Sequence, residues 1–512
     1  MTTAATPGDA DVVAEITTGY TFEEPSIELG VLVADGTPVP DAKVRIPLSM
    51  LNRHGLVAGA TGTGKTKTLQ LMAEQISAAG VPVFAADIKG DLSGLGSAGQ
   101  SSDKLLSRTQ AIGQEWAGLA NPVEYYSLGG QGHGIPLRAT ITSFGPVLLS
   151  KVMGLNDTQE SSLGLVFHYA DEKGLPLIDL EDLQAVLNHL TSDEGKVELK
   201  GIGGLSATTV GVILREIIGL ADQGADAFFG EPEFESADLL RTAADGRGLI
   251  SLLELPNLVD RPALFSTFLM WLLADLFHEL PEVGDIDKPK LVFFFDEAHL
   301  LFDGASKAFL DSIAQTVRLI RSKGVGVFFV TQTPKDVPDA VLAQLGSRVQ
   351  HQLRAHTPND AKALKATVQT FPKSSYDLAE VLQSLGIGEA VVTVMDPDGA
   401  PTPVAWTRMR APQSLMGPTP DAEMDAAVQA SSLHAKYGTK LNRESAQEML
   451  AAKIEAAAEA PEVKAPAPAK AAPRAKAEKG IVEQVVGSSV FKQFARSAGK
   501  EIVRSIFGTR RR

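Results

Sequence analysis

Eight consecutive residues, Gly59-Ala60-Thr61-Gly62-Thr63-Gly64-Lys65-Thr66, constrain this chain more than any other segment. They match the phosphate-binding pattern G-x-x-x-x-G-K-[ST] at every position. The apolar run Gly55-Leu56-Val57-Ala58 reads as a short buried strand leading in. Thr68 to Ile76 reads as the helix leading out, with Leu69, Met72 and Ile76 on one face. Glycines let the backbone fold until successive N–H groups point at phosphate oxygens, and the helix N-terminus adds its dipole. A Gly-rich turn can match the pattern by chance, but strand and helix on either side argue against that. The expected phosphate-binding set is therefore Gly59, Ala60, Thr61, Gly62, Thr63, Gly64, Lys65, Thr66 and Lys67. Lys65 should reach the β- and γ-phosphates of a nucleoside triphosphate, and the Thr66 hydroxyl should sit on Mg2+.

The chain of 512 residues has room for several domains, and its 44% hydrophobic content is that of a globular protein. With no cysteine, disulfides, thiol catalysis and Cys-ligated metals are excluded. The acidic N-terminus lacks the apolar stretch of a signal peptide, and the run Pro262–Leu280 contains Asp275, His278 and Glu279, so it reads as a buried helix. The expectation is a cytoplasmic protein with no integral membrane segment. The net charge of −15 opposes general adhesion to nucleic acid, but it is unevenly spread. From Lys464 to Arg512 there are twelve Lys and Arg against three Glu, so any phosphate-backbone contact needs this tail or a local basic ring.

The expected organisation is a flexible N-terminus at 1–15, a small β element at 16–50 and the first part of an α/β core at 51–100. A helical insertion follows at 101–245, because Val147–Met153, Leu180–Leu187 and Val210–Ile218 show helical spacing. The core resumes at 246–412, an Ala/Pro-rich linker covers 413–479, and a basic amphipathic C-terminal helix occupies 480–512. Strands alternating with helices imply a mostly parallel sheet with helices on both faces.

Phe293-Phe294-Phe295-Asp296-Glu297 is a buried strand ending in two acids. Asp296 is the expected metal ligand, and Glu297 the base for the attacking water. Gln332, at the end of the next strand, is the expected γ-phosphate sensor. A cation against developing charge, often supplied by a neighbouring subunit, has candidates in Arg318, Arg321, Lys323, Arg348 and Arg354, with Arg321 and Arg348 preferred. Asp87-Ile88-Lys89-Gly90-Asp91 ends another strand and reads as a site-facing loop without an assigned role. His299 has no partner at metal-site spacing and reads as structural or coupling.

The paired acids after one strand and the polar end of another resemble P-loop ATPases that carry an extra central strand. Within them the chain resembles the HerA–FtsK family of hexameric DNA-pumping motors, and most closely its bacterial HerA-like branch. Asn52-Arg53-His54-Gly55, the phosphate loop, Asp87–Leu92, Asp296-Glu297-Ala298-His299, Thr331-Gln332-Thr333-Pro334 and Gly346-Ser347-Arg348-Val349 carry the likeness. It spans about residues 20–410 and touches Glu501–Gly508. The resemblance implies a RecA-like core, ATP with Mg2+ at subunit interfaces, a neighbour's arginine completing the site, a homo-oligomeric ring and double-stranded DNA in its pore. The expected departures are the absence of the transmembrane anchor of FtsK-type pumps, the acidity and the absence of an evident DNA-reading domain, which leave a protein partner as the alternative. Asp296-Glu297-Ala298-His299 also spells the DEAH box, but those helicases carry a second RecA-like domain with an Arg-rich motif, which is not found after Thr333. Val482, Val485, Val486, Val490, Phe491, Phe494, Ile502, Val503, Ile506 and Phe507 fall at helical intervals in the tail, which suits a latch onto a neighbouring subunit ahead of a DNA or lipid-surface contact or a packed terminal helix.

Overall fold

Runs such as Leu291–Phe295 and Val325–Thr331 offer no polar face, so both sides of each strand must be covered. A computed structural model of the chain describes residues 9–459, except 200–202, 259–260, 285 and 303–306. Among these residues, twelve strands form one sheet. In chain order they are β1 (Ser26–Ala34), β2 (Thr37–Pro47), β3 (Gly55–Ala58), β4 (Val83–Asp87), β5 (Val123–Leu128) and β6 (Ile135–Leu137). They continue with β7 (Ile250–Glu254), β8 (Leu291–Phe295), β9 (Val325–Thr331), β10 (Ser347–Gln350), β11 (Glu389–Thr393) and β12 (Ala405–Met409). The order across the sheet is β2-β1-β12-β11-β10-β3-β9-β8-β4-β7-β5-β6.

The segment from β10 to β5 is parallel, which puts the C-terminal ends of the phosphate-loop strand β3 and of β9, β8, β4 and β7 on one edge. β9 lies between β3 and β8, the extra central strand expected from the sequence. β3 and β9 approach so closely that a Cβ on Gly55 would meet the Phe328 ring at 2.2 Å, which requires glycine there. Phe84 stacks at a tilt on Phe293 with ring centroids 4.6 Å apart, and Phe294 on Phe328 at 5.4 Å. Aromatic side chains of neighbouring strands thus bury one another through the middle of the sheet.

The 16–50 segment holds the expected β element, and it joins the main sheet. β1 and β2 form an antiparallel pair, and β1 pairs with β12, extending the main sheet. Of the stretch 1–15 expected to be flexible, residues 9–15 belong to helix α1 (Asp9–Gly19), and residues 1–8 lie outside the described residues. Ile16 in the helix and Tyr20 just after it are buried, and the Tyr20 hydroxyl donates to the Val392 carbonyl at 3.0 Å.

The described residues divide into two compact units, one drawn from 9–136 and 235–435, the other from 137–234 and 436–459. The helical unit therefore starts later than the expected 101. Val123–Leu128 is a strand paired in parallel with β7, which its Glu-Tyr-Tyr-Ser sequence hides from a periodicity test. The helical unit contains Ile141–Val152, Asp157–Lys173, Leu180–Thr191 and Ala207–Asp222, whose buried residues include Leu163, Val166, Val186, Leu187, Val210 and Ile213. Capping boxes at Asn156–Gln159 and Asp179–Asp182 start two of these helices. Part of the segment expected to be linker returns to this unit. Helix Ala446–Glu459 packs there, with the Gln447 N–H donating to Asp182 at 2.9 Å and Lys453 pairing with Glu198 at 3.0 Å. The 480–512 helix lies outside the described residues. Among the described residues, no helix is long and apolar enough to cross a membrane.

Candidate nucleotide site

The phosphate loop leaves β3 and enters α2 (Lys65–Ala78) through Gly64, whose φ of +116° only glycine adopts without strain. The loop is tied down at both ends. The Gly59 N–H donates to the Thr331 carbonyl at 3.2 Å, and the Ala60 N–H to the Gln352 carbonyl at 2.8 Å. On the far side, the Gly388 N–H donates to the Thr63 carbonyl at 2.9 Å. Lys65 is buried, and its Nζ donates to the Gly59 carbonyl at 2.7 Å and to Ala60 at 3.2 Å. Burial lowers the Lys65 pKa, against the opposing pull of Glu297.

A hydrogen-bond chain not legible in the sequence braces this helix. The Thr68 hydroxyl and His351 Nε2 lie 2.9 Å apart, and His351 Nδ1 lies 2.8 Å from the Glu389 carbonyl. His351 is fully buried, and burial lowers its pKa to about 4, so the ring is neutral at physiological pH. Nothing in its sequence neighbourhood, Val349-Gln350-His351-Gln352, marks it for this place.

Carboxylates gather at the ends of β8, β4 and β7. Asp296 is 3% and Glu297 5% exposed. Asp296 Oδ2 and Glu297 Oε2 are buried without a hydrogen-bond partner. Burial, reinforced by Glu297, pushes the Asp296 pKa up to about 7. Glu297 stands at a φ of +46°, the left-handed region, where a non-glycine residue stores strain. Its Oε1 contacts the Lys89 ammonium, and its Oε2 lies 3.2 Å from His299 Nδ1. Burial works against the Lys89 charge, but contact with Glu297 outweighs it and holds the ammonium above its ordinary range.

Asp87 occupies the end of β4 and accepts from the backbone N–H groups of Gly90, Leu92 and Ser93, which folds Asp87–Asp91 into a tight turn and aims Lys89 at Glu297. Glu254, paired in register with Asp87, was not singled out from the sequence. It is 5% exposed with Oε1 unpartnered, and its pKa is pushed well up by burial and by Asp87 and Asp91. An acid at the C-terminal end of a buried strand, as at Asp87 and Asp296, is the signal that could have found it.

Gln332 is exposed and lines a pocket of about 270 Å3 with Ala60, Thr61, Thr333, Arg354 and Leu353. Its neighbour Thr331 is buried and donates to Asp336 at 2.7 Å. Arg354 Nη2 reaches the Thr61 carbonyl at 3.4 Å. The two preferred arginines are not brought to this chain's own phosphate loop. Arg321 precedes β9, at the strand end opposite Thr331. Arg348 pairs with Leu56, short of the edge, and its guanidinium donates to the Thr370 carbonyl at 3.0 Å over the Phe371 ring.

The donor set suits a magnesium nucleotide. Asp296 has a buried oxygen without a partner, and Thr66 opens α2 behind Lys65. These two side chains would hold the ion, which when bound neutralises charge on the β- and γ-phosphate oxygens. Lys65 would neutralise the same phosphates, and Glu297 would accept the proton of the attacking water.

The family model for the helicase HerA-like C-terminal region matches residues 33–512. The DNA double-strand break repair helicase HerA of Sulfurisphaera tokodaii is 23% identical over 387 residues, covering 72% of this chain and 67% of that protein. The HerA of Saccharolobus solfataricus is 21% identical over 394 residues, covering 76% and 70%. Among solved structures, the bacterial conjugative coupling protein TrwB matches 80% of this chain and 94% of its own, with 16% identity and a TM-score of 0.53. A TrwB complex with ADP and Mg2+ matches 78% and 100%, with 17% identity and a TM-score of 0.51. The likeness to the TrwB structures shows a shared fold. The chain belongs to the HerA-like helicase family and is a P-loop ATPase of RecA-like fold.

Proposed function

We propose that this chain hydrolyses ATP with Mg2+ and couples hydrolysis to movement on, or remodelling of, DNA as a cytoplasmic hexameric ring. The observation that carries the reading is the juxtaposition of Lys65, Asp296 and Glu297 on one sheet edge. HerA relatives named as DNA double-strand break repair helicases support the DNA substrate. Lys65 and the loop N–H groups bind the phosphates, Thr66 and Asp296 hold Mg2+, Glu297 activates water and Gln332 senses the γ-phosphate. Arg321 or Arg348 acts on a neighbour's nucleotide, a role compatible with their distance from this chain's own loop.

The test is the steady-state ATPase rate with and without linear double-stranded DNA at low and moderate salt, with Glu297→Gln as blank and mass measured with and without nucleotide. Salt-sensitive stimulation by DNA of a six-fold assembly is the expected result. The net charge of −15 favours a second reading, an ATP-gated scaffold or regulator of a protein partner. A Glu297-dependent rate indifferent to DNA would select it.

A further inference from the structure

A second pocket, of about 490 Å3, opens beside α2 and is lined by Gly99, Lys104, Leu105, Arg108, Trp116 and Met416 among others. It is built by the first turns of the chain after β4, including helix α3 (Asp103–Gln110), and by the stretch after β12. Both walls are fastened to the phosphate loop. On one side the Lys67 ammonium donates to the Met416 carbonyl at 2.8 Å, and Gln70 Nε2 to the Leu415 carbonyl at 3.3 Å. On the other, Arg108 Nη2 donates to the Gly388 carbonyl at 2.7 Å, while the Gly388 N–H holds Thr63. The Trp116 indole N–H is anchored on the Pro412 carbonyl at 2.8 Å, in the same stretch that forms the Met416 wall.

We propose that this pocket takes the nucleoside of the bound nucleotide, its base and ribose, with Trp116 supplying the stacking surface and Lys104 and Arg108 the cationic rim. The proposal rests on the phosphate-loop reading and deepens it. In a loop of this kind Lys65 addresses the β- and γ-phosphates, and the backbone N–H groups that follow it hold the α end of the chain. The γ end faces Asp296 and Glu297. The nucleoside therefore leaves from the opposite end, at Lys67, whose side chain touches the pocket wall. The volume suits a small organic ligand, for which pockets run about 300–1,000 Å3. Trp116 presents an aromatic surface where the opposite flank of the loop, around Gln332 and Arg354, has a smaller pocket with no aromatic lining. Base-on-aromatic stacking is worth roughly five- to a hundredfold in affinity.

The experiment measures competition of Mg-ATP and of Mg-tripolyphosphate, which lacks a nucleoside, against a fluorescent ATP analogue on the full chain. Trp116→Ala, and separately Leu105→Trp, which fills the pocket, should each weaken ATP about tenfold and leave tripolyphosphate unchanged. Trp116→Phe should restore ATP affinity. Unchanged tripolyphosphate affinity also reports that each variant keeps its loop folded. If both variants bind ATP as the wild type does, or weaken both ligands equally, the nucleoside lies elsewhere and the proposal is overturned. If the wild type binds neither ligand, or Lys65→Ala binds both unimpaired, the phosphate-loop reading fails first and the proposal falls with it.

Discussion

The Lys89 ammonium rests on Oε1 of Glu297, joining the turn after β4 to the acid that follows β8. Lys89 is thus the cation set against Glu297 where Asp87, Asp91, Glu254 and Asp296 also converge. Removing it leaves a triphosphate to enter a more negative site, with Glu297 no longer held. Lys89→Met should lower kcat about tenfold with a smaller rise in KM for ATP, and Lys89→Arg should keep most of the rate. A higher kcat in Lys89→Met would show instead that the contact restrains Glu297.

Glu297→Gln keeps the size of the side chain and removes the proton acceptor. Turnover should fall by about 10²–10⁴-fold while ATP affinity stays near the wild-type value. Lys65→Ala should lose affinity for ATP and for tripolyphosphate alike. Equilibrium binding beside single-turnover hydrolysis separates the two effects, and hydrolysis retained in Glu297→Gln would remove that residue from the mechanism.

Asp296 ties stability to pH. Its carboxyl ionises at 3.8 when unperturbed, but in the folded chain burial keeps the proton up to about 7. Between these values the folded state binds a proton that the unfolded chain has released, so this group's contribution to stability falls as pH rises. Asp296→Asn carries no such proton. Its stability relative to the wild type should grow between about pH 4 and pH 7 by on the order of a few kcal/mol, read from urea unfolding in Mg2+-free buffer. A difference that stays flat with pH would show Asp296 ionised throughout.

Thr68→Val removes the hydroxyl and leaves buried His351 Nε2 without its partner. An orphaned buried polar group costs about 1–3 kcal/mol, so the variant should unfold at correspondingly lower urea. Because α2 carries the loop, ATP affinity should drop as well. A variant as stable as the wild type would mean that water replaces the threonine.

Mixing subunits tests the arginines. If Arg321 or Arg348 serves a neighbour, combining its alanine variant with Lys65→Ala should regain part of the activity that each lacks alone. Arg348→Ala should also lose some stability, since its guanidinium bridges to Thr370 and packs over Phe371.

Local pattern was enough wherever consecutive residues make the feature. Gly59 to Thr66 shape their own loop, and all-apolar runs ending in acids announced β4 and β8 with Asp87 and Asp296 at their tips. The extra central strand was legible because each strand carried its own end-marker. Val123–Leu128 was not legible, since tyrosines and a serine buried on both faces break the apolar run.

Partnership across the chain belonged to the tertiary structure. Thr68 and His351 are 283 positions apart, Lys89 and Glu297 208, and Lys67 and Met416 349. No periodicity encodes such pairs, because sheet order, not sequence distance, decides which strand ends become neighbours. Gly59–Thr66 and Asp296-Glu297 announce a phosphate loop and a carboxylate pair from local pattern alone. Only the folded sheet decided that Glu254 and Lys89 share their edge, that His351 braces the loop, and that a pocket with Trp116 lies beyond Lys67.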